Sequence, residues 1–174
     1  MAVGNLEFIK SASGTSVSSL SVTDCFSDKY DVYEVFIPTD DLSSTVDTRF
    51  RLLDSGGSEV IATSYDIATL TLRAGASFAE ERLTSQDHFR SLTAGNNTTV
   101  GVGILLRIFN PYNSGSYTFS MWQSSFKQET LGYLEGRKSI GVLKQSAQHT
   151  GLSFYNGSGT LDSFSVSVYG LASN

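Results

Sequence analysis

One cysteine and two histidines are the strongest candidates for nucleophilic chemistry in this sequence of 174 residues. Cys25 paired with His88 or His149 would need a carboxylate to orient the imidazole ring, and the sequence marks none for that role. The spacings also match no known pattern of a catalytic cysteine and histidine. A lone thiol is more often a small buried hydrophobic group, so we predict that Cys25 is structural.

Adjacent carboxylates suggest a second kind of chemistry, because hydrolysis of a glycosidic bond uses two acids that face each other across a cleft. The sequence contains two such pairs, Asp40-Asp41 and Glu80-Glu81. Neighbouring carboxylates in loops are usually only solvated, and sequence position does not set them across a cleft. We therefore predict no catalytic residues and no enzyme activity. A carbohydrate-active enzyme is kept as a third hypothesis, ranked below the two structural and binding roles given at the end of this subsection.

Potential metal ligands are sparse in this chain. Asp24, Asp28 and Asp31 lie close together in sequence, but the glycine and the closing glutamate of a calcium-binding loop are missing. The two histidines are far apart and the single cysteine is isolated from both. We expect these aspartates to cap turns, and we predict no metal site and no cofactor.

Trp122 is the only tryptophan and is the candidate contact for a glycan. It follows Tyr117, Phe119 and Met121 in a segment with a period of two. If those three side chains face the core, Trp122 lies on the opposite face of the strand. An exposed tryptophan can stack on a sugar ring or anchor a protein interface. The alternative is that Trp122 covers the edge of the core.

Composition and charge exclude several classes of function. The formal net charge of −5 and the lack of a basic cluster argue against a nucleic-acid partner. No segment approaches the length of about 18 apolar residues that a membrane helix needs, so we expect no membrane partner. The first residues lack the features of a secretory signal. With one cysteine there is no intrachain disulfide, which favours assembly in a reducing cytoplasm.

Short segments of alternating apolar and polar residues, separated by turn residues, predict an all-β protein. We expect one domain over residues 1–174, an antiparallel β-sandwich of jelly-roll type with nine or ten strands. The sequence predicts other structure in three segments: a polar loop over 39–47 after Pro38, one helical turn or a long loop over 74–93, and a polar loop over 123–135. The clearest predicted turns are at 55–58, between two strands of a hairpin, and at Asn156-Gly157, between the last two strands.

The segment Val100–Phe109 has the strongest alternation and provides the candidate interface. Its even-numbered residues are apolar, whereas Gly101, Gly103 and Leu105 point to the other face. Bare glycines on an outward face favour close approach of another backbone or subunit. In the last strand Phe164, Val166 and Val168 form the apolar face, so Tyr169 lies on the opposite face and completes the candidate interface.

Several short motifs follow one another along the chain, and their order is informative. They are Leu6-Glu-Phe-Ile-Lys-Ser-Ala-Ser-Gly, Val22-Thr-Asp-Cys-Phe-Ser-Asp-Lys-Tyr, Arg51-Leu-Leu-Asp-Ser-Gly-Gly, Ser64-Tyr-Asp, Ile108-Phe-Asn-Pro, Ser116-Tyr-Thr-Phe and Ser167-Val-Tyr-Gly. Together they resemble small β-sandwich virion proteins of tailed bacteriophages, especially those of marine cyanobacteria. The resemblance spans nearly the whole chain and brings no catalytic residues.

The resemblance implies a structural part of a virion, assembled in the bacterial cytoplasm. The first hypothesis is a capsid decoration protein that binds the major capsid protein or tail proteins by surface contacts. The second is a tail-fibre or receptor-binding domain that recognises a host glycan through Trp122 and the 123–135 segment. Both imply a homo-oligomer or many copies, because virions are symmetric.

Overall fold

The computed structural model describes residues 5–43, 47–93, 102–128 and 132–172, and every regular element in these ranges is a β-strand. The eleven strands are β1 (Leu6–Gly14), β2 (Ser19–Val22), β3 (Val32–Leu42), β4 (Thr48–Asp54), β5 (Tyr65–Arg73), β6 (Ala79–Gln86), β7 (Val102–Phe109), β8 (Thr118–Gln128), β9 (Tyr133–Leu143), β10 (His149–Asn156) and β11 (Leu161–Leu171). The predicted all-β class is confirmed, with slightly more strands than expected.

Two antiparallel sheets form a β-sandwich, as predicted. The large sheet has eight strands in the order β1-β11-β3-β7-β8-β9-β5-β6. The small sheet has three strands in the order β2-β10-β4. The last two strands of the chain therefore belong to different sheets, and the predicted hairpin between them is wrong. The positive φ in their connection belongs to Gly159 (88°), not to Asn156 or Gly157.

The alternation predicted for β7 and β11 is confirmed. Ile104, Leu106 and Ile108 are buried in the core, and so are Phe164, Val166 and Val168 of the last strand. Since successive side chains point to opposite faces of a sheet, the intervening residues lie on the other face. These two strands thereby fix which face of the large sheet is turned away from the core.

Residues 39–42, predicted to begin a loop, continue β3 instead, and residues 44–46 of that segment lie outside the described ranges. Proline cannot donate a hydrogen bond to a neighbouring strand, so it is expected at an edge or a bulge. The pairing of β3 with β11 changes register between Phe36 and Thr39, which leaves Pro38 inside an irregularity. The pairing of β3 with β7 ends at Ile37. The bulge lets the strand run on and bury Asp40.

Two other segments assigned to loops also contain strands. Residues 79–86 form the edge strand β6, and most of 123–135 belongs to β8 and β9. Both segments are rich in charged and hydroxyl side chains, which suit the exposed face of a strand as well as a loop. The turn at 55–58 is confirmed with Gly57 at φ 79°, but the segment after it pairs with β4 only through Leu53 and Glu59.

An aromatic cluster fills the middle of the core. Trp122 packs edge-on against Phe50 at 5.7 Å between ring centroids and against Phe89 at 5.8 Å. Phe50 also contacts Phe154, and Phe89 contacts Tyr65. The rings need space in the facing sheet, and a Cβ at Gly141 would lie only 2.5 Å from the Phe89 ring. Glycine at position 141 of β9 therefore leaves the space that this cluster occupies.

Candidate functional site

The most distinctive surface of the molecule is the face of the large sheet turned away from the small sheet, here called the outer face. A single row of paired residues crosses it from one edge to the other, with one residue on each of the eight strands. The row consists of Phe8, Tyr169, Glu34, Arg107, Met121, Ile140, Ala68 and Arg82. The strand register therefore places residues far apart in sequence on one continuous surface.

The outer face is rich in exposed apolar side chains. Ile140 is 57% exposed and Met121 is 43% exposed, and the two are direct cross-strand partners. Other large apolar residues around them are exposed to a similar degree: Phe36, Leu70, Leu72, Leu105 and Phe119. Large contiguous apolar patches on a soluble protein usually mark a site of interaction. The arrangement is suited to binding by burial of apolar surface.

Two adjoining hollows shape this face. The first has a volume of about 510 Å³ and extends towards Leu70, Leu105 and Gln123. The second has a volume of about 500 Å³, and Phe109 and Phe119 are among its lining residues. Both are lined by Ala68, Arg82, Met121 and Ile140, which therefore form the divide between them. The outer face thus has a depression on each side of these four residues.

The remaining part of the face, towards β1, is held by aromatic and ionic contacts. The Tyr169 ring packs edge-on against Phe8 at 5.6 Å and against Phe36 at 5.4 Å. Between this group and the hollows, Arg107 donates a hydrogen bond to Glu34. The ion pair occupies the middle of the face without leaving an unmatched charge there.

The structure places three of the four predicted interface residues on the outer face. Leu105 is exposed and lines the first hollow, Gly103 is exposed on the same strand, and Tyr169 is half-buried in the aromatic group. A Cβ added at Gly103 would meet no atom within 4 Å, so the sheet surface above Gly103 is open. Gly101 lies outside the described residues.

Trp122 is buried, and the prediction of an exposed glycan contact is wrong. The side chain is 1% exposed and its indole N–H lies 3.3 Å from the backbone carbonyl of Ser91. The alternation of β8 is the reverse of the expected one, since Phe119 and Met121 face solvent while Thr118 and Ser120 face the core. Residues 123–128 and 133–135 belong to the paired strands β8 and β9, so these parts of the predicted glycan-binding loop are strands, and residues 129–131 lie outside the described ranges.

Buried hydroxyl groups explain why the sequence pattern did not identify the parts of the outer face formed by β5 and β8. In β5, Thr69 and Thr71 are buried, whereas Leu70 and Leu72 are exposed. The Thr69 hydroxyl lies 2.8 Å from that of Ser139, so both polar groups are satisfied inside the protein. The one available signal was the excess of apolar residues on both faces of neighbouring strands.

The candidates for nucleophilic chemistry are engaged elsewhere. The Cys25 thiol donates to the carbonyl of Val22, and His149 pairs through Nδ1 with the Thr118 hydroxyl at 3.1 Å. Burial lowers the pKa of His149 and of His88, so both imidazoles favour the neutral form. His88 lies next to Asp87, with Nδ1 2.5 Å from a carboxylate oxygen.

Cys25 is expected to be unreactive in the folded protein. Its side chain is buried, and burial raises the pKa of the thiol to about 12. Because the thiolate is the nucleophile, a disulfide reagent such as DTNB should react at least about 100-fold faster after unfolding in urea than before it. Rapid reaction of the native protein would contradict the buried position of this side chain.

The adjacent carboxylates separate because neighbouring residues of a strand point to opposite faces. Glu80 is exposed beside Arg82, while Glu81 accepts a hydrogen bond from the Ser91 hydroxyl. Asp40 is buried and accepts hydrogen bonds from the Thr48 and Thr93 hydroxyls at 2.7 Å. Burial raises the pKa of Asp40 to about 6.

A polar cleft of about 410 Å³ is lined by residues of β5 and β6 and by side chains from neighbouring segments. Arg90 and Arg137 line it together with Glu81 and Ser91. Arg137 donates to the carbonyl of Thr93 and to Glu135. The cleft therefore combines hydrogen-bond donors and acceptors, and a ligand with both kinds of polar group could bind there.

Within the described ranges, no group of three or more histidine, cysteine or acidic side chains is arranged to hold a metal ion. In the same ranges, no helix has the length and apolar content needed to cross a membrane.

No known protein family and no curated protein matches this chain. Among solved structures, it is similar to a chain from Bacillus endospore appendages, described as disulfide-linked pili, with 11% identity, a TM-score of 0.24 and coverage of 99% of this chain and 96% of that one. A galectin from Caenorhabditis elegans is 12% identical with a TM-score of 0.24, covering 91% of this chain and 89% of the galectin.

The chain is also similar to part of the VP2 protein of infectious bursal disease virus. The identity is 13% and the TM-score is 0.15, with coverage of 98% of this chain and 37% of VP2. TM-scores of this size carry no argument about function.

Proposed function

We propose that this protein is a structural component of a tailed-phage particle and decorates the capsid through protein–protein contacts. The observation that carries the proposal is the exposed apolar outer face, centred on Met121 and Ile140. Covering such a face with a partner is favourable, because burial of apolar surface contributes roughly 25 cal/mol per Å² to the free energy of association. The order of motifs that resembles phage virion proteins supports the location, and no catalytic role is assigned.

The number of copies per particle tests this function directly. Particles of the phage that encodes the chain are purified, and the protein is quantified by mass spectrometry against the major capsid protein. A ratio near one, or a fixed sizeable fraction of it, is the result expected for capsid decoration. A few copies would assign the protein to the tail or a vertex, and absence from the particle would overturn the proposal.

Leu105→Asp is expected to reduce incorporation into particles by at least about tenfold, because a charge on the outer face disfavours its burial against a neighbour. Leu105 is exposed, so the variant should fold normally. The measurement compares the amount of variant and unchanged protein in purified particles.

Ile61→Asp is the matched control for Leu105→Asp. Ile61 is 65% exposed but lies between β4 and β5, away from the outer face. It should be incorporated normally. Equal incorporation of both variants and the unchanged protein would exclude the outer face as the contact.

A tail-fibre domain that recognises a host glycan is the second candidate, and the polar cleft favours it in place of Trp122. Hydroxyl groups of a sugar both donate and accept hydrogen bonds, as the arginine and carboxylate side chains of the cleft require. Soluble protein in excess should then block phage adsorption, and Arg90→Ala should relieve the block. Adsorption unaffected by the soluble protein would exclude this role.

A further inference from the structure

We propose that the outer face binds the outer face of a second copy of this chain about a two-fold axis. The inference rests on the proposed function, because it names the partner for the same face. Three properties of the outer face, as formed by the described residues, support it: its shape, its area and its charges.

The shape of the face is suited to pairing with itself. Met121 and Ile140 are exposed side chains of the divide, and a hollow of about 500 Å³ lies on each side of it. In a two-fold arrangement the divide of one copy enters a hollow of the other, and the reverse contact follows by symmetry. The apolar side chains of the two sheets then interdigitate as in a sandwich core, about 10 Å apart.

The area of the face matches what a stable dimer needs. Strands lie about 4.8 Å apart and outward side chains repeat about every 7 Å, so eight strands with about four outward residues each present roughly 1,000 Å². A standard protein–protein interface buries about 800 Å² on each partner. One copy can therefore cover most of the face of another.

The charges of the face permit approach of an identical chain. Three acidic side chains pair with basic ones within the chain: Glu34 with Arg107, Glu80 with Arg82 at 3.7 Å, and Asp66 with Lys144 at 2.8 Å. The exposed Lys138, which lines the first hollow, adds a positive charge to the face. A face with an excess of one sign would repel its own copy, and this chain carries a net charge of −5. The mixture of signs makes the outer face a region where two acidic molecules can meet.

Sedimentation velocity of the purified 174-residue chain over a range of concentrations tests the inference. We expect a reversible dimer of twice the mass of one chain. Ile140→Asp should raise the dissociation constant by about 100-fold or more, because each copy would bury a carboxylate in an apolar contact. Ile61→Asp is the matched control and should leave the dimer intact, and circular dichroism verifies that both variants fold.

A second variant locates the axis independently of any loss of binding. Met121→Cys should be joined into a covalent dimer by a short bismaleimide cross-linker, because the two divides lie side by side near the axis while the backbones of the two sheets stand about 10 Å apart, too far for a direct disulfide. Ile61→Cys should not be cross-linked. Cys25 is buried and does not compete. Failure of Met121→Cys to cross-link in a protein that dimerises would overturn the proposed arrangement.

The remaining outcomes separate this inference from the proposed function. A protein that is monomeric at all concentrations, or whose dimer survives Ile140→Asp, overturns the two-fold pairing even if the chain is abundant in particles. A dimer that depends on Ile140 supports the pairing, and absence of the chain from particles would then overturn only the virion role.

Discussion

Replacing Trp122 with alanine is expected to lower the free energy of unfolding by about 4 kcal/mol, one of the two largest effects anticipated for this protein. The indole ring is 1% exposed and packs against Phe50 and Phe89, so its removal leaves a cavity inside the aromatic cluster. The N–H contact with the carbonyl of Ser91 is lost as well. Urea unfolding followed by far-ultraviolet circular dichroism measures the change.

Tyr117→Ala is the matched control, since Tyr117 is a large aromatic residue just before the same strand and is exposed. It should change the free energy of unfolding by less than about 1 kcal/mol. Similar small effects for Trp122→Ala and Tyr117→Ala would mean that the orientation of β8 is not the one described. Emission from the single tryptophan should also shift to the red when the unchanged protein unfolds.

The contrast between Trp122 and Tyr117 shows where sequence reasoning succeeds and where it fails. A period of two identifies a strand and divides its residues into two sets, and it did so for β7, β8 and β11. The period does not say which set faces the core. In β7 and β11 one set is clearly more apolar and is buried. In β8 both sets contain large apolar residues, and the set with the buried hydroxyls of Thr118 and Ser120 faces inwards.

Pairing partners are the second kind of information that the sequence did not contain. The outer face joins Phe8, near the start of the chain, to Tyr169 near its end, and Ile140 to Ala68. These contacts depend on long-range register, which the local pattern does not specify. The candidate residues Gly103, Leu105 and Tyr169 were recognised by their strand face alone, whereas Met121 and Ile140 required the sheet.

Asp40→Asn is expected to change the pH dependence of stability by about 3 kcal/mol. Burial raises the pKa of the folded carboxyl to about 6, compared with an ordinary value of 3.8. A raised pKa means that the folded protein holds the proton more tightly than the unfolded chain does. The resulting stabilisation is fully present below about pH 3.8 and is lost as the pH rises through about 6.

Asparagine retains an acceptor for Thr48 or Thr93 and cannot ionise, so the variant lacks this contribution. Relative to the unchanged protein, its free energy of unfolding should therefore be higher at about pH 7 than at about pH 4, by up to about 3 kcal/mol. Asp28→Asn, at an exposed turn, should follow the unchanged protein at both pH values. If the difference between Asp40→Asn and the unchanged protein were the same at both pH values, ionisation of Asp40 would not limit stability near neutral pH. A pH-dependent difference would instead identify the buried contact of Asp40 with the Thr48 and Thr93 hydroxyls as the part of the fold that deprotonation weakens.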